Sequence, residues 1–384
     1  MAGKRGHGEG TITKRPDGRW MAQITIGRDP ATGKLKRLTK YFKTRQEAQV
    51  WLTEVQHQKN TGNFVEPDRV TFGDWLKRWL KIYVQPKVRP TSYANYHDVV
   101  TLHILPAIGE IPVQVLRTST IQELYNQKAE TLSPWMIHRM HILINRCLKQ
   151  AVRERLIHSN PAESTVRPSI KRKEITVLAP EEMTRYLEAA REHRLYTAFL
   201  LECTSGLRRG ELLALSWDCV DFTSGTVEVK RSLSRVRLVD EGRTELHFGE
   251  PKTESGKRTI PLAPDVLKEL KEHRKRQAQE KLFFGQAYQD NGLVFATEDG
   301  RPVDPRSFHR WHTAILKKAN LPHVRIHDLR HSFASILADA GEDPETLRAL
   351  LGHSRTSTTM DLYCHASEKG KRRAVNRLAQ IIKS

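Results

Sequence analysis

The chain has 384 residues, enough for two or three domains of ordinary size. Hydrophobic residues make up 38% and charged residues 28%, which is typical of folded soluble proteins rather than of disordered chains. No apolar run reaches the roughly 18 residues of a membrane-spanning helix, and no apolar segment follows the N-terminus as it would in a signal peptide. The four cysteines form no CxxC pair, so we expect free thiols in a reducing cytoplasm and no membrane partner.

The net charge is the strongest signal in the composition. Lys and Arg number 64 against 44 Asp and Glu, which gives a formal net charge of +20 at pH 7. Solubility does not require this excess. A polyanionic partner explains it, because basic side chains neutralise phosphates and release counterions. An anionic membrane is the competing interpretation, but no basic amphipathic anchor stands out, so the charge favours nucleic acid.

Residues 1–64 predict a small basic domain of three strands and one helix. Alternating segments at 11–15, 19–27 and 34–42 are separated by turns rich in Asp, Gly and Pro, a pattern typical of β-hairpins. Thr44 with Glu47 three residues later predicts a capping box at the start of a helix. Basic residues interleave with the strand positions, which suits a sheet laid into a DNA groove, although an ordinary charged surface is the alternative. The candidate DNA-binding residues here are Lys14, Arg15, Arg19, Lys34, Lys36 and Arg37.

Residues 65–165 predict a helical domain. Apolar residues recur at helical spacing from Thr71 to Tyr83, and three further helices are predicted over 92–105, 118–128 and 135–153. Pro106 and Gly109 are expected to end the helix at 92–105. The aromatic stripe of Trp75, Trp79 and Tyr83 is interpreted as core rather than as a base-stacking platform.

Residues 166–177 form a basic, proline-containing linker, and we expect its Arg172 to contact phosphate. Beyond it, residues 178–384 predict a mixed α/β domain that opens with a helix at Pro180 and carries a small β insert near 225–261. The whole chain is therefore predicted to be mainly α with small β elements.

Short phrases in this last domain carry the groups that metal-free phosphodiester cleavage needs. Arginine forks bind phosphate oxygens bidentately and keep their charge, a Lys or His can transfer protons, and a tyrosine in a cationic neighbourhood can attack. His327 and His331 also have metal-ligand spacing, but the intervening Asp-Leu-Arg lacks the glutamate of H-E-x-x-H proteases, so we expect no metal. No P-loop occurs, so we expect no ATP and no other cofactor. The candidate catalytic residues are Arg208, Lys252, His327, Arg330, His353 and Tyr363.

Four motifs of the last domain follow one another in the sequence. They are T-S-G-L-R-R-G-E-L-L at 204–213, H-D-L-R-H at 327–331, L-G-H at 351–353 and Tyr363 ten residues later. Taken in this order, they resemble the tyrosine recombinase (phage integrase) family, as found in phages and conjugative transposons. The resemblance covers essentially the whole chain. It implies an arm-type DNA-binding domain at 1–64, a core-binding (SAM-like) domain at 65–165, and a catalytic tyrosine recombinase domain with a C-terminal docking tail at 178–384.

The resemblance implies a phosphate clamp made by Arg208 and Arg330. His353 would hydrogen-bond the same phosphate. Glu211, three residues after Arg208, could form only a surface salt bridge with it, but we expect the pairing to orient Arg208 in the site.

The resemblance also implies roles in proton transfer and attack. Tyr363 would attack and form a 3′-phosphotyrosyl bond, and His327 would act in proton transfer with this nucleophile. Lys252 would be the general acid for the leaving 5′ oxygen, with Lys257 in the same hairpin as its rival. His331 is expected to support the site from behind.

The favoured function is therefore a site-specific recombinase that integrates and excises a mobile element. The resemblance implies a homotetramer on double-stranded DNA with core-type and arm-type sites. It also implies an excisionase, a host DNA-bending protein, and a place at the nucleoid of a bacterial cytoplasm. Three alternatives remain: a type IB topoisomerase-like relaxer, a non-catalytic DNA-binding relic, and a metal-dependent nuclease.

Overall fold

A computed structural model describes residues 10–28, 32–62, 64–170, 176–251 and 253–352. The chain divides into two compact units, residues 1–171 and residues 172–384. The expected mainly α architecture with small β elements is confirmed. The predictions for Lys252, His353, Tyr363 and Arg172 and for the C-terminal tail lie outside the described residues.

The first unit opens with an antiparallel sheet in the order β1-β2-β3, as the hairpin pattern predicts. One helix packs on the sheet, and its N-terminus has the predicted capping box, with the Glu47 amide donating to Thr44 Oγ1 at 3.2 Å. Leu52 of this helix and Ile24 of the sheet are buried together. The elements are β1 (Thr11–Lys14), β2 (Trp20–Arg28), β3 (Leu35–Phe42) and α1 (Arg45–Asn60).

The rest of the first unit is helical and has its own apolar core. Trp75 and Trp79 are almost fully buried in it, so their interpretation as core is confirmed. The Trp75 indole N–H donates to the Cys147 carbonyl at 3.2 Å, which satisfies its polar atom inside the core. The helices are α2 (Phe72–Trp79), α3 (Pro90–Val99), α4 (Leu105–Ile108), α5 (Thr118–Ala129) and α6 (Pro134–Arg153).

Pro106 does not end the helix that was predicted over 92–105, so that prediction was wrong. A π-helical turn, Val100–Ile104, continues α3 directly into α4. Pro106 falls in the first turn of α4, where a missing N–H costs little. Gly109 then caps α4 by donating to the Leu105 carbonyl at 3.0 Å.

The second unit is built around one larger core that joins helices and short strands. The stacked rings of Phe199 and Phe308, with centroids 4.7 Å apart, lie within it. The predicted β insert is present as a sheet in the order β4-β5-β8 and a separate hairpin of β6 and β7. The strands are β4 (Val220–Asp221), β5 (Thr226–Glu228), β6 (Ser232–Leu238), β7 (Arg243–Gly249) and β8 (Thr259–Pro261). The helices are α7 (Pro180–Ala190), α8 (Tyr196–Ser205), α9 (Arg209–Leu213), α10 (Pro264–Phe284), α11 (Pro305–Lys318), α12 (Ile326–Ala340) and α13 (Pro344–Leu351).

Candidate functional site

The turn between α8 and α9 positions Arg208. Gly206 ends α8 in the left-handed region, at φ 61°, where a β-carbon is strained. A Cβ at this position would also lie 2.8 Å from ring carbons of Phe333. Glycine therefore lets the chain turn sharply and start α9 with Arg208 as its N-cap residue.

Glu211 holds Arg208 as predicted. Its carboxylate accepts from Arg208 Nη1 at 2.6 Å and from the Arg208 backbone amide at 3.1 Å. The Glu211 side chain is buried, whereas 31% of the Arg208 side chain is exposed. Burial raises the pKa of Glu211, but Arg258 and Arg208 outweigh burial and hold the pKa below its ordinary value. The pairing therefore directs a partly exposed guanidinium from a buried, ionised anchor.

Arg330 lies on α12 and is buried, with 2% of its surface exposed. Its Nη1 donates to the Gly206 carbonyl at 2.5 Å, and its Nη2 donates to the Leu351 carbonyl. Burial lowers the pKa of Arg330 to about 9, and the nearby cations Arg208 and Arg258 contribute. The group thus keeps its charge at neutral pH although no carboxylate hydrogen-bonds to it in the described part of the chain.

Arg258 is a member of this cluster that the sequence analysis missed. Its Nη2 donates to Glu211 at 3.0 Å and its Nε donates to the Leu350 carbonyl at 2.7 Å. The phrase P-K-T-E-S-G-K-R-T-I-P-L at 251–262 contains it, but the two lysines of that phrase were selected instead because a lysine has the chemistry of a general acid. We call Arg208, Arg258, Arg330 and Glu211 the arginine cluster.

The arginine cluster meets the chain immediately before His353. Arg208 Nη2 donates to the Gly352 carbonyl at 3.1 Å, and Gly352 ends α13 at φ 61°. Arg330 and Arg258 bind the carbonyls of the two preceding residues. Two of the predicted residues, Arg208 and Arg330, thus lie together beside Leu351 and Gly352, which directly precede a third predicted residue, His353, in the sequence.

His327 and His331 lie on α12, with ring centroids 4.9 Å apart. Surrounding atoms desolvate the His327 ring and, with His331 and Arg330 nearby, lower its pKa. The side chain is nonetheless exposed, so water moderates this lowering of the pKa. Burial also lowers the pKa of half-buried His331. Both rings are therefore expected to be neutral at pH 7.

Two described residues on either side of Lys252 in the sequence lie close together. A Cβ at Gly256 would lie 2.7 Å from the Pro251 Cβ. The rival, Lys257, is exposed and lies 3.7 Å from Glu250. This pairing directs Lys257 toward an exposed carboxylate.

Glu202 on α8 is a buried acid that the sequence analysis also missed. It is 1% exposed, and neither of its carboxyl oxygens has a hydrogen-bond partner among the described residues. Burial raises its pKa to about 8, although Arg209 and Arg330 lie close enough to oppose the shift. At neutral pH it therefore adds no negative charge to the arginine cluster.

The two faces of the N-terminal sheet differ in chemistry. α1 covers the face that carries Ala22 and Ile24. Thr25 alternates with Ile24 and pairs across the ladder with Arg37, so Arg37 lies on the open face. The open face is thus polar and carries a cation.

The candidate DNA-binding residues of this sheet are all exposed where described. The guanidinium carbons of Arg15 and Arg19 lie 5.4 and 5.6 Å from the Tyr41 ring centroid. Lys36 forms an ion pair with Glu66, and Arg19 pairs with Asp17 at 2.8 Å. Lys36 and Arg19 would thus have to exchange these partners to bind phosphate.

Two features are absent from the described residues. Within residues 10–352, apart from the gaps given above, no group of three His, Cys, Asp or Glu side chains could hold a metal ion. Over the same residues, no helix is long and apolar enough to cross a membrane. Cys147, Cys203 and Cys219 are free and buried, as the sequence predicts for them.

This fold places two arginines together at the Leu351 and Gly352 carbonyls, a cationic site of the kind that binds a phosphodiester. Three family models match the chain. They are the phage integrase family over residues 176–369, the N-terminal SAM-like domain of phage integrases over 71–129, and an arm DNA-binding domain over 11–59. The chain belongs to the phage integrase family, whose members cleave and rejoin DNA.

Relatives and solved structures agree with this assignment. A tyrosine recombinase XerC-like protein of Caldanaerobacter subterraneus subsp. tengcongensis is 32% identical over 372 residues, which cover 93% of this chain and 95% of the relative. The Tn1549 transposon integrase bound to transposon right-end DNA has a TM-score of 0.66 at 22% identity, covering 80% of this chain and 99% of that one. A lambda integrase tetramer bound to a Holliday junction has a TM-score of 0.57 at 18% identity, and the match covers 96% of this chain and 97% of that one. These two structures share the fold.

Proposed function

We propose that this protein is the integrase of a phage or conjugative element, which inserts the element into a bacterial chromosome and excises it. The observation that carries the proposal is the convergence of Arg208 and Arg330 on the carbonyls of Leu351 and Gly352, directly before His353. This arrangement supports one phosphate-binding site built from three separate parts of the chain.

The arginine cluster has the charge that a phosphodiester requires. The cluster holds three guanidinium groups and one carboxylate, Glu211, which binds Arg208 and Arg258. It therefore carries two net positive charges while Glu202 is protonated. Arg208 is the partly exposed member of the cluster, so it would contact a nonbridging oxygen of the phosphate first. Arg330 would bind the same phosphate from its buried position on α12. Fixed cations in a water-poor site stabilise the charge that develops in the transition state.

Tyr363 is the proposed nucleophile. Its phenolic oxygen would attack the phosphorus while the bond to the 5′ oxygen breaks, giving a 3′-phosphotyrosyl bond and a free 5′-hydroxyl. His327 would accept the phenolic proton, which requires the neutral ring that its lowered pKa leaves at pH 7. Lys252 would give a proton to the leaving 5′ oxygen, and His353 would hydrogen-bond the phosphate.

Rejoining reverses these steps with a different strand. The 5′-hydroxyl of the partner duplex would attack the phosphotyrosyl bond, and Tyr363 would leave. The phosphodiester energy is retained in the protein–DNA bond, so the chemistry calls for no ATP and no metal.

The assembly we propose has four protomers on two DNA duplexes, and the lambda integrase tetramer on a Holliday junction supports this arrangement. Residues 1–64 would bind arm-type sites, residues 65–165 core-type sites, and residues 178–384 the cleavage point, with Arg172 of the 166–177 linker on phosphate. The tail after Tyr363 would dock on a neighbouring protomer. Excision would use an excisionase and a host DNA-bending protein, in the bacterial cytoplasm at the nucleoid.

Recombination between two cloned attachment sites on one plasmid tests the proposal. Recombinant circles should form in EDTA with the wild type and should be absent with Arg330→Ala. Relaxation of a supercoiled plasmid that lacks the sites would favour the topoisomerase-like alternative. Tight binding of both sites without any strand transfer, even with cell extract added, would favour the DNA-binding relic.

The choice between Lys252 and Lys257 as general acid has its own test. A substrate whose 5′ bridging oxygen is replaced by sulfur needs little protonation of the leaving group, because a thiolate leaves readily. Lys252→Ala should cleave ordinary DNA at least about a hundredfold more slowly than wild type, a usual contribution of a general acid, and should recover on the sulfur substrate. Lys257→Ala is the matched control; if it shows this rescue instead, Lys257 is the acid.

A further inference from the structure

Helix α6 carries an unusual exposed face in the helical part of the first unit. Trp135 is 53% exposed and Ile142 is 37% exposed, whereas the opposite side of the helix is fully buried in the core. Large apolar groups at the surface cost free energy that a bound partner would recover. Trp135, Arg139, Ile142 and Arg146 follow helical spacing, so they form one continuous face.

Arg139 is the ordered centre of this face. Its guanidinium carbon lies 4.9 Å from the Trp135 ring centroid and 5.5 Å from the ring of Tyr96 on α3. Both distances are within the range of cation–π attraction. Among the described residues Arg139 has no hydrogen bond or ion pair, so two aromatic rings hold its guanidinium in place while its N–H donors stay available.

The charge of α6 indicates the class of partner. The 20-residue helix contains no Asp or Glu. Of its exposed cations, Lys149 has a distant partner, Glu163, at 3.7 Å, and Arg146 lies over the Trp79 ring at 5.9 Å. A helix that is cationic along its exposed face fits the major groove of DNA, which admits one helix.

We propose that the exposed face of α6 enters the major groove of the core-type site and that Arg139 reads a guanine there. The inference rests on the proposed function, because it takes the core-type site as the ligand. A guanidinium held against two rings loses little freedom on binding, and its fork matches guanine O6 and N7. Phosphate contacts require no such fixed position, so Arg146 and Lys149 are assigned to the backbone and Arg139 to a base.

The proposal predicts a change in sequence preference rather than only in affinity. Wild-type protein is incubated with a library in which the core-type site is randomised, and bound DNA is sequenced. At one G·C position the wild type should prefer guanine by about tenfold or more, a usual value for a bidentate arginine. Arg139→Lys keeps the charge but lacks the fork, so the preference at that position should fall to less than about twofold.

Arg146→Ala is the matched control on the same helix. It should weaken binding to all sequences alike and lower the salt dependence of binding, as the loss of a phosphate contact does. Melting of each variant shows whether it is folded, and Arg139→Lys is chosen because it retains the side chain's bulk. If Arg139→Lys leaves the sequence preference unchanged or weakens all sequences uniformly, Arg139 reads no base and the proposal is wrong. If the wild type selects no sequence and binds no core-type site, the proposed function itself fails.

Discussion

Glu202→Gln is expected to stabilise the protein increasingly as the pH rises. Glu202 is a nearly fully buried acid whose two oxygens have no hydrogen-bond partner in the part of the chain that the structure describes. Burial raises its pKa from 4.5 to about 8. Arg209 and Arg330 oppose this shift, and Glu211 adds to it. Glutamine keeps the shape and the polar atoms but cannot ionise.

The sign and size of the effect follow from linkage. The pKa of Glu202 is higher in the folded state than in the unfolded state. Glu202 therefore costs the folded protein no stability below about pH 4.5, and its cost grows as the pH rises toward about 8. Each pKa unit corresponds to about 1.4 kcal/mol. The shift of about 8 − 4.5 units therefore gives a penalty on the order of 5 kcal/mol at pH 8 and above. Constant effects of the substitution, such as altered packing, do not depend on pH and cancel.

Urea unfolding of the full chain at pH 5, 6, 7 and 8 measures the difference in free energy of unfolding between Glu202→Gln and wild type. Hydrogen exchange of peptides from α8 reports on the second unit. The free energy of unfolding of Glu202→Gln minus that of wild type should grow by about 1 kcal/mol or more per pH unit. Glu188→Gln, at an exposed position on α7, is the control and should give a flat difference. A flat difference for Glu202→Gln as well would refute the reasoning.

Three further changes test the arginine cluster and its supports. Glu211→Ala leaves Arg258 without its carboxylate and should lower the free energy of unfolding by about 3–5 kcal/mol in urea titrations, against little change for exposed Glu188→Ala. Gly206→Ala should cost about 1–2 kcal/mol from left-handed strain alone, plus the clash with Phe333, and unchanged thermal unfolding would contradict this. Arg330→Lys keeps charge but loses the fork, so DNA cleavage in single-turnover assays should slow by at least about a hundredfold while site binding falls far less; equal losses of both would point to misfolding.

Much of the first unit could be predicted because its signals are local. The capping box of Thr44 and Glu47 depends on a spacing of three residues, and the strands depend on alternation and turn residues. Trp75 and Trp79 could be assigned to the core because their spacing places them on one face of α2. Pro106 was misjudged because the preceding π-helical turn, which brings it into the first turn of a new helix, has no such local signal.

The candidate site could be predicted only where chemistry and position in a phrase coincide. Arg208, Glu211 and Arg330 stand in recognisable phrases, and the structure brings them together. Arg258 and Glu202 escaped notice because their significance comes from contacts between segments distant in sequence. Arg258, for example, binds both Glu211 and the Leu350 carbonyl.

The reading of bases is a second case in which three-dimensional contacts add what residue type could not supply. Many basic residues of this chain suit phosphate or base equally well from their side-chain chemistry. Among the cations of α6, the rings of Trp135 and Tyr96 distinguish Arg139 from Arg146 and Lys149.

The most direct test of the central claim is covalent trapping on a suicide substrate. The DNA carries the attachment site with a nick placed so that the freed 5′ end diffuses away, and the reaction runs in EDTA with wild type and Tyr363→Phe side by side. The account predicts a covalent protein–DNA band for wild type alone, with the DNA 3′ phosphate attached to the peptide that contains Tyr363 in the mass spectrum. A band of equal strength for Tyr363→Phe, or attachment at another residue, would contradict it.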